Sequence, residues 1–221
     1  MMERVLFSRS DKEQHRSILR LLCEAFGHQY LHYYELHLEA LASADSTILL
    51  ADKGEIVAHI QVVSYDAKLS SSLGLRRCAY LYAICTAESH RGTGIMTKLM
   101  RDLFNGELRA KGYDFAILVP ADTDLIAYYE RLDMRLMSGS IFMKAPKEAY
   151  PVIRPGLDAE CYMDSAAELD AQFEELTYSK GSSCRFPQKW VPFTPKQVGW
   201  MSYPLAEDIL PEDTMLVNPL T

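Results

Sequence analysis

A chain of 221 residues with 48% hydrophobic and 24% charged residues has the composition of a globular protein that buries a sizeable core. The formal net charge is -7 and Lys and Arg form no dense run, which argues against nucleic-acid and anionic-membrane partners. The five cysteines lack paired or metal-ligand spacing and no targeting or membrane-spanning pattern occurs, which predicts reduced thiols, no bound metal and a cytoplasmic location.

The N-terminal part of the chain predicts two helices and a strand hairpin. Ser10 or Asp11 is placed to cap a first helix, whose apolar residues recur on one face until Gly27 ends it. The stretch 28–44 predicts a second helix, in which several tyrosines either form one face of an amphipathic helix or line a substrate cleft. Strands are predicted at 5–7, 47–51 and 56–63, the last two joined by a turn at 52–55.

The centre of the chain changes from a strand pattern to a helix pattern across one short loop. Residues 79–86 form an apolar run without Gly or Pro, which is typical of a buried strand. From Ile95 the apolar residues recur at helical spacing, and Gly112 predicts the end of that helix. The loop between them, 88–94, contains two glycines and leads into the positive end of the helix dipole. We therefore predict a cradle for a pyrophosphate at this loop.

The loop motif has neither the Walker spacing nor the dinucleotide-binding spacing of glycines. Residues 91–96 instead resemble the Q/R-x-x-G-x-G/A signature of the GNAT superfamily of acyl-CoA-dependent N-acyltransferases. Arg91, Gly92 and Gly94 fall in place, whereas Met96 stands where Gly or Ala is usual.

A second motif follows a buried strand predicted at 115–119 and lies on a helix that Asp122 or Thr123 caps. The run Tyr128-Tyr129-Glu130-Arg131-Leu132 resembles the later GNAT motif of the type F-Y-E-K-L-G-F. In the two positions that follow, Asp133 replaces Gly and Met134 replaces Phe, and Asp tolerates the left-handed backbone of that turn. Residues 80–134 are also similar to GNAT proteins of the aminoglycoside-acetylating enhanced-intracellular-survival type.

The resemblance implies an α/β (α+β) GNAT fold, with a mixed central sheet, a splayed parallel strand pair and flanking helices. It implies an N-acetyltransferase that moves an acetyl group from acetyl-CoA, its cosubstrate, to a primary amine of an unidentified small molecule or peptide by direct attack in a ternary complex. Whether the protein forms a homodimer is left open.

The resemblance also implies roles for individual residues. Backbone groups of Ile84, Cys85 and Thr86 are expected to hold the pantetheine, and Tyr129 to protonate the leaving thiolate. The pyrophosphate is expected on Arg91, Gly92, Thr93, Gly94, Ile95 and Met96.

Two questions stay open at the level of sequence. Tyr80 and Tyr82 share the face of the strand where some relatives carry a glutamate, and Glu88 and His90 flank the loop, so the general base is unassigned and a water relay through tyrosines is the default. The alternative function is a catalytically silent module that binds acyl-CoA or regulates a partner.

The C-terminal third predicts a long strand at 136–143, a helix after Asp164, irregular structure at 181–198 and a short strand at 214–220. We expect one GNAT domain over residues 1–221, with 146–213 an insertion between the last two strands on the acceptor side. The alternative places the seventh strand at 150–153 and makes the remainder an appendage. Four aromatic residues either line the pocket or cover the core: Trp190, Phe193, Trp200 and Tyr203.

Overall fold

The computed structural model describes residues 2–68, 75–137, 141–144, 191–193 and 200–207. They divide into two units, one drawn from Met1–Val63 and Leu81–Met100 and the other from Ser64–Tyr80 and Arg101–Thr221.

The described strands are β1 (Met2–Val5), β2 (Thr47–Asp52), β3 (Glu55–Lys68), β4 (Leu75–Thr86), β5 (Phe115–Leu118), β6 (Arg135–Met137), β7 (Ile141–Lys144), β8 (Val191–Phe193) and β9 (Trp200–Pro204). The α-helices are α1 (Lys12–Phe26), α2 (Leu31–Leu41), α3 (Ile95–Asp102), α4 (Leu108–Ala110) and α5 (Asp124–Glu130). Short 3-10 turns occupy His28–Tyr30 and Glu88–His90, and a π-helical turn at Leu103–Glu107 separates α3 from α4.

Helix α1 begins and ends where its sequence predicts. The carboxylate of Asp11 accepts a hydrogen bond from the backbone N–H of Gln14 at 2.9 Å, which satisfies one of the donors left open at a helix start. Gly27, at φ 108°, ends the helix and donates its N–H to the carbonyl of Cys23. On the apolar face, Ile18 and Leu22 are completely buried and Phe26 at the end is partly exposed, so packing of the earlier turns holds the helix in the first unit.

The first unit contains an antiparallel sheet of β1, β2 and β3, in that order, with β4 next to β3. Strand β1 lies at Met2–Val5 and not at residues 5–7, because its register with β2 runs from Met2 opposite Asp52 to Val5 opposite Leu49. Phe7 is buried although it lies outside the strand. Its apolar side chain therefore packs in the core and does not indicate a strand.

The second unit contains the parallel pair that the order of predicted elements requires. Cys78, Ala79 and Tyr80 of β4 pair in parallel with residues of β5, and β9 pairs antiparallel with both β5 and β6. All four residues of β5 are buried, as expected of a strand covered on both faces. Together with the helices, these pairings confirm the predicted mixed sheet with a parallel pair and flanking helices.

The long strand predicted at 136–143 is wrong. The structure has two strands here: β6 pairs with β9, whereas β7 pairs with β3 and β8. Partners distant in the sequence decide where each strand lies, and a continuous apolar pattern carries no information about that division. The prediction of irregular structure over 181–198 is also wrong at Val191–Phe193, which form β8.

Strand β9 lies inside the range 146–213 that the sequence assigns to an insertion. Its residue Met201 is completely buried opposite Leu118 of β5, and the ring of Tyr203 stacks on Phe104 at 4.3 Å. Tyr203 therefore covers the core. The helix predicted after Asp164 and the strand predicted at 214–220 lie outside the described residues, and both stay predictions.

Candidate functional site

Strand β4 carries a left-handed residue in its second half, within the first unit. Ala83 has φ 49°, a conformation that residues with a Cβ rarely adopt, and nothing in the local sequence signals it. The carbonyl oxygen of Ala83 lies 2.8 Å from Nδ1 of His59, whose side chain in β3 is completely buried. Sequence reasoning missed both residues, because an alanine and a histidine in apolar strands look like ordinary core positions.

The three residues after Ala83 are those expected to hold pantetheine through their backbone. Ile84 and Thr86 are half-buried, whereas Cys85 is buried with 7% of its surface exposed. Burial raises the pKa of the Cys85 thiol, a nearby Glu24 raises it further, and Arg91 lowers it. The thiol therefore stays protonated, which argues against Cys85 as a nucleophile.

His59 is a neutral imidazole in the folded protein. Burial lowers its pKa from 6.5 to about 4, and the hydrogen bond to Ala83 opposes that shift only in part. A carbonyl oxygen can only accept, so Nδ1 carries the proton and donates it to Ala83.

This depressed pKa predicts a loss of stability on acidification. Between about pH 6.5 and pH 4, His59 is protonated in the unfolded chain but neutral in the folded protein. The unfolded state therefore binds more protons, and the free energy of unfolding falls as the pH falls. The full loss is about 3 kcal/mol. Urea denaturation of wild type and His59→Asn across this range measures it, since the variant lacks a titrating ring. Equal pH slopes in the two proteins would contradict the prediction.

The predicted pyrophosphate loop joins β4 to α3 and also lies in the first unit. Gly92 and Gly94 have φ 75° and 80°, and a Cβ added at either position would meet no protein atom within 4 Å. The backbone conformation, not crowding by the protein, therefore requires glycine here. The carbonyl of Gly94 accepts the first helical hydrogen bond, from Lys98, so the amides that follow it form the open end of α3.

Side chains of the loop itself hold its shape. The hydroxyl of Thr93 donates to the carbonyl of His90 at 2.6 Å, and Nε of Arg91 donates to the carbonyl of Thr86 at 3.2 Å. Arg91 thus connects the loop to the end of β4, and Thr93 connects two parts of the loop itself. Both glycines stay exposed.

The loop is anchored to the rest of the first unit at its start. The N–H of Ala87 donates to the carbonyl of Val57 at 2.9 Å, and the N–H of Glu88 donates to the carboxylate of Glu24 on α1. Nε2 of His90 lies 3.6 Å from a carboxylate oxygen of Asp52. The contact with Asp52 occupies the imidazole of His90, whereas Glu88 anchors the loop through its backbone and its own carboxylate stays exposed.

A cavity of about 330 Å³ lies beside this anchor. Its charged lining is mixed in sign, with Arg20, Glu24, Asp52, Lys53, Glu55 and His90. Arg20 and Glu55 pair with each other at 3.0 Å, so the lining favours neither an anionic nor a cationic ligand.

The second motif folds in the second unit as helix α5 and the turn that ends it. Tyr129 is buried with 5% of its surface exposed, and its ring lies 5.1 Å from that of Tyr128. Burial raises the pKa of the Tyr129 hydroxyl above its usual 10, and Tyr128 and Asp122 add to the shift. Tyr129 therefore holds its proton at every physiological pH. Asp122 caps this helix through Leu125, at 3.0 Å.

The turn after α5 keeps the geometry of the motif despite its changed residue. Asp133 has φ 63°, and the amides of Leu132 and Met134 both donate to the carbonyl of Tyr129. This confirms that Asp accommodates the left-handed position expected of glycine.

We expect Asp133→Ala to lower the free energy of unfolding by about 1 kcal/mol, because alanine lacks the short polar side chain that eases left-handed geometry. Asp133→Gly, which removes the Cβ altogether, should be at least as stable as Asp133→Ala. Urea denaturation of the three proteins tests this, and an alanine variant as stable as wild type would refute it.

The structure also shows where the tyrosines of the central strand lie. Tyr80 is buried against Tyr65, with ring centroids 6.4 Å apart, and Tyr82 is half-buried. No cluster of His, Cys, Asp or Glu suited to a metal ion occurs in the part of the chain that the structure describes. Among the described residues, no helix is long and apolar enough to cross a membrane.

Comparison with known proteins gives a family match and several structural matches. The family model described as an acetyltransferase (GNAT) domain matches residues 7–137. No curated protein matches the sequence. Eis1 from Mycobacterium abscessus is 16% identical with a TM-score of 0.51, over 85% of this chain and 46% of its own.

Two further solved structures are less similar by TM-score. A GCN5-related N-acetyltransferase from Kribbella flavida is 19% identical with a TM-score of 0.48, over 63% of this chain and 35% of its own. The ribosomal-protein-S18-alanine N-acetyltransferase from Escherichia coli is 13% identical with a TM-score of 0.49, over 95% of this chain and 99% of its own. The chain thus spans less than half the length of the Kribbella protein and of Eis1, and the likeness to Eis1 is one of fold alone.

Proposed function

Because the chain belongs to the GNAT acetyltransferase family, we propose that it transfers an acetyl group from acetyl-CoA to a primary amine of a small molecule or peptide, by direct attack in a ternary complex. The observation that carries this proposal is the loop between β4 and α3. Two exposed glycines at positive φ place backbone amides at the start of a helix, where a phosphate binds best.

The loop fits a pyrophosphate on its own geometry. Its outer face is open, since a Cβ at Gly92 or Gly94 would meet no protein atom within 4 Å. The pyrophosphate would bind to the backbone of Arg91, Gly92, Thr93, Gly94, Ile95 and Met96. The pantetheine would bind to backbone groups of Ile84, Cys85 and Thr86.

The reaction needs one bond made and one broken. The amine nitrogen bonds to the acetyl carbon, the carbon–sulfur bond breaks, the nitrogen loses a proton and the sulfur gains one. Tyr129 is the proposed hydrogen-bond donor to the sulfur, because its raised pKa keeps the hydroxyl protonated. A thiol with a pKa near ~8.5 is a stronger acid than this phenol, so the thiolate would not keep the phenol proton unless another proton replaced it. Tyr129 would therefore pass a proton to the sulfur while it receives, through the base, the proton that the nitrogen gives up.

The base that accepts the amine proton is proposed to be a water relay. The His90 ring contacts Asp52, Tyr80 is buried against Tyr65, and the carboxylate of Glu88 is exposed to solvent. Tyr82 is half-buried, as a member of such a relay would be.

A catalytically silent acyl-CoA-binding or regulatory module is the second candidate. The burial of Tyr129 favours it, since a phenol with 5% exposure is also what a packing residue shows. Both candidates predict binding of acetyl-CoA, but only the acetyltransferase predicts its turnover with an amine.

The test is a screen for thiol release from acetyl-CoA against a panel of amines, beside calorimetry with acetyl-CoA alone. Binding with amine-dependent thiol release supports the acetyltransferase. Binding without release from any amine supports the silent module. An absence of binding would refute both candidates.

We further propose that residues 1–221 form one domain whose segment 146–213 shapes acceptor choice, and that the protein works in the cytoplasm. Support for the location is that Cys23, Cys78 and Cys85 are free, buried thiols among the described residues. The net charge of -7 suits a cationic amine.

A further inference from the structure

The left-handed residue in β4 needs a support that the strand itself does not supply. Ala83, at φ 49°, adopts a conformation that is unfavourable for a residue with a Cβ. Such a conformation persists only where surrounding contacts hold it. It also turns the peptide after Ala83 relative to the regular ladder, so the carbonyl of Ala83 needs its own donor.

His59 is that donor. Its Nδ1 lies 2.8 Å from the carbonyl oxygen of Ala83, and its ring is completely buried in the first unit. The donor is fixed in place because β3 positions the ring from the neighbouring strand. Loss of the donor would leave the carbonyl of the half-buried Ala83 without that bond, which removes the contact that supports its conformation.

The supported peptide directly precedes the backbone expected to hold the cosubstrate. A left-handed residue changes the direction of the backbone groups that follow it, and we call this change at Ala83 the kink in β4. The next three residues are Ile84, Cys85 and Thr86. The half-buried Ile84 and Thr86 follow the kink, whereas Cys85 faces inward. The direction of these backbone groups therefore depends on how firmly Ala83 keeps its left-handed shape.

We propose that His59 is a positioning residue: its hydrogen bond to Ala83 holds the kink in β4 and so aims the backbone of residues 84–86 at the thioester arm of acetyl-CoA. This inference rests on the proposed acetyl-CoA site. His59 does not touch the cosubstrate, and its effect passes through the backbone of Ala83.

Two variants of His59 and one matched control separate this role from core packing. His59→Leu keeps an apolar volume without the donor, and His59→Asn keeps an amide N–H near the position of Nδ1. Gln61→Leu is the control, because Gln61 is also completely buried in β3 but bonds to Thr47 and to the carbonyls of Leu41 and Ser46, not to β4.

Acetyl-CoA is the probe, measured by calorimetry on the full chain. We expect His59→Leu to weaken acetyl-CoA binding about tenfold, His59→Asn to recover most of it, and Gln61→Leu to lower the melting temperature with binding within about twofold of wild type. A general loss of packing would weaken binding in His59→Leu and Gln61→Leu alike, and that result would overturn the proposal.

A second measurement does not depend on ligand. In ¹⁵N-labelled protein, His59→Leu should speed amide hydrogen exchange at residues 84–86 by about tenfold or more, and Gln61→Leu should leave that exchange unchanged relative to its own global stability. If His59→Leu does not fold, His59→Ala, which also lacks the donor, replaces it. Unchanged exchange and unchanged affinity in a folded variant without the donor would overturn the inference.

Failure of this inference is distinguishable from failure of the proposed function. If wild type does not bind acetyl-CoA, the proposed function fails, while the exchange measurement still tests whether His59 holds the kink. If wild type binds and His59→Leu binds equally well, the positioning role alone fails.

Discussion

Tyr129→Phe is expected to lower the rate of acetyl transfer by about 10²-fold or more, with acetyl-CoA binding nearly preserved. The substitution removes one hydroxyl and little volume from a side chain that is 5% exposed, so packing in the second unit is kept. What is lost is the hydroxyl that we propose donates a hydrogen bond to the leaving sulfur and relays a proton to it, a hydroxyl whose pKa burial raises. Steady-state thiol release and calorimetry on the same preparation measure the two quantities.

Tyr128→Phe is the matched control. The Tyr128 ring lies 5.1 Å from that of Tyr129 on the same helix, but it is half-buried and has the guanidinium of Arg131 6.0 Å from its centre. It should retain wild-type turnover. Wild-type turnover in Tyr129→Phe with a loss in Tyr128→Phe would assign the donor to the other ring, and full activity in both would exclude both rings as the donor to the sulfur.

Gly94→Val is expected to abolish measurable acetyl-CoA binding while the protein still folds. At φ 80° a β-branched residue is strained, so the loop must shift, and the added side chain occupies the open face that a phosphate would approach. The shift also moves the carbonyl that accepts the first hydrogen bond of α3, from Lys98. Calorimetry with acetyl-CoA measures the loss, and circular dichroism checks the fold.

Gly54→Val controls for backbone strain alone. Gly54 has φ 85° in the turn between β2 and β3, and a Cβ there also meets no protein atom within 4 Å. The two variants should therefore lose similar stability, and only Gly94→Val should lose binding. Retained affinity in a folded Gly94→Val protein would show that this loop does not hold the pyrophosphate.

Much of the candidate site could be predicted because its signals are local. Asp11 and Gly27 delimit α1, Gly92 and Gly94 mark the loop, and the turn at Asp133 follows a short motif. In each case the conformation of one residue depends on its own side chain and close neighbours, so a short stretch of sequence carries the information.

The features that sequence reasoning missed depend on distant partners. Ala83 keeps its left-handed shape with the help of His59, which lies in another strand, and neither residue is unusual in its own stretch. The division of 135–144 into β6 and β7 follows from pairing with different strands. A helix pattern that continued from Ile95 hid the π-helical turn at Leu103–Glu107, since the extra residue leaves the apolar stripe nearly unchanged.

The pairing of β5 with β9 has a consequence for how the chain reaches its native state. Ala116 lies opposite Tyr203, 87 positions later in the chain, so this ladder joins residues that are distant in the sequence. Closing so long a loop costs entropy before the strand pairing returns any stability, which makes this a slow step. Until β9 is synthesised and docks, one edge of the wholly apolar β5 has no native neighbour, and a newly made chain exposes a template for association with other chains. When many chains are synthesised rapidly and at high concentration, we therefore expect a lower yield of folded protein than its final stability would suggest.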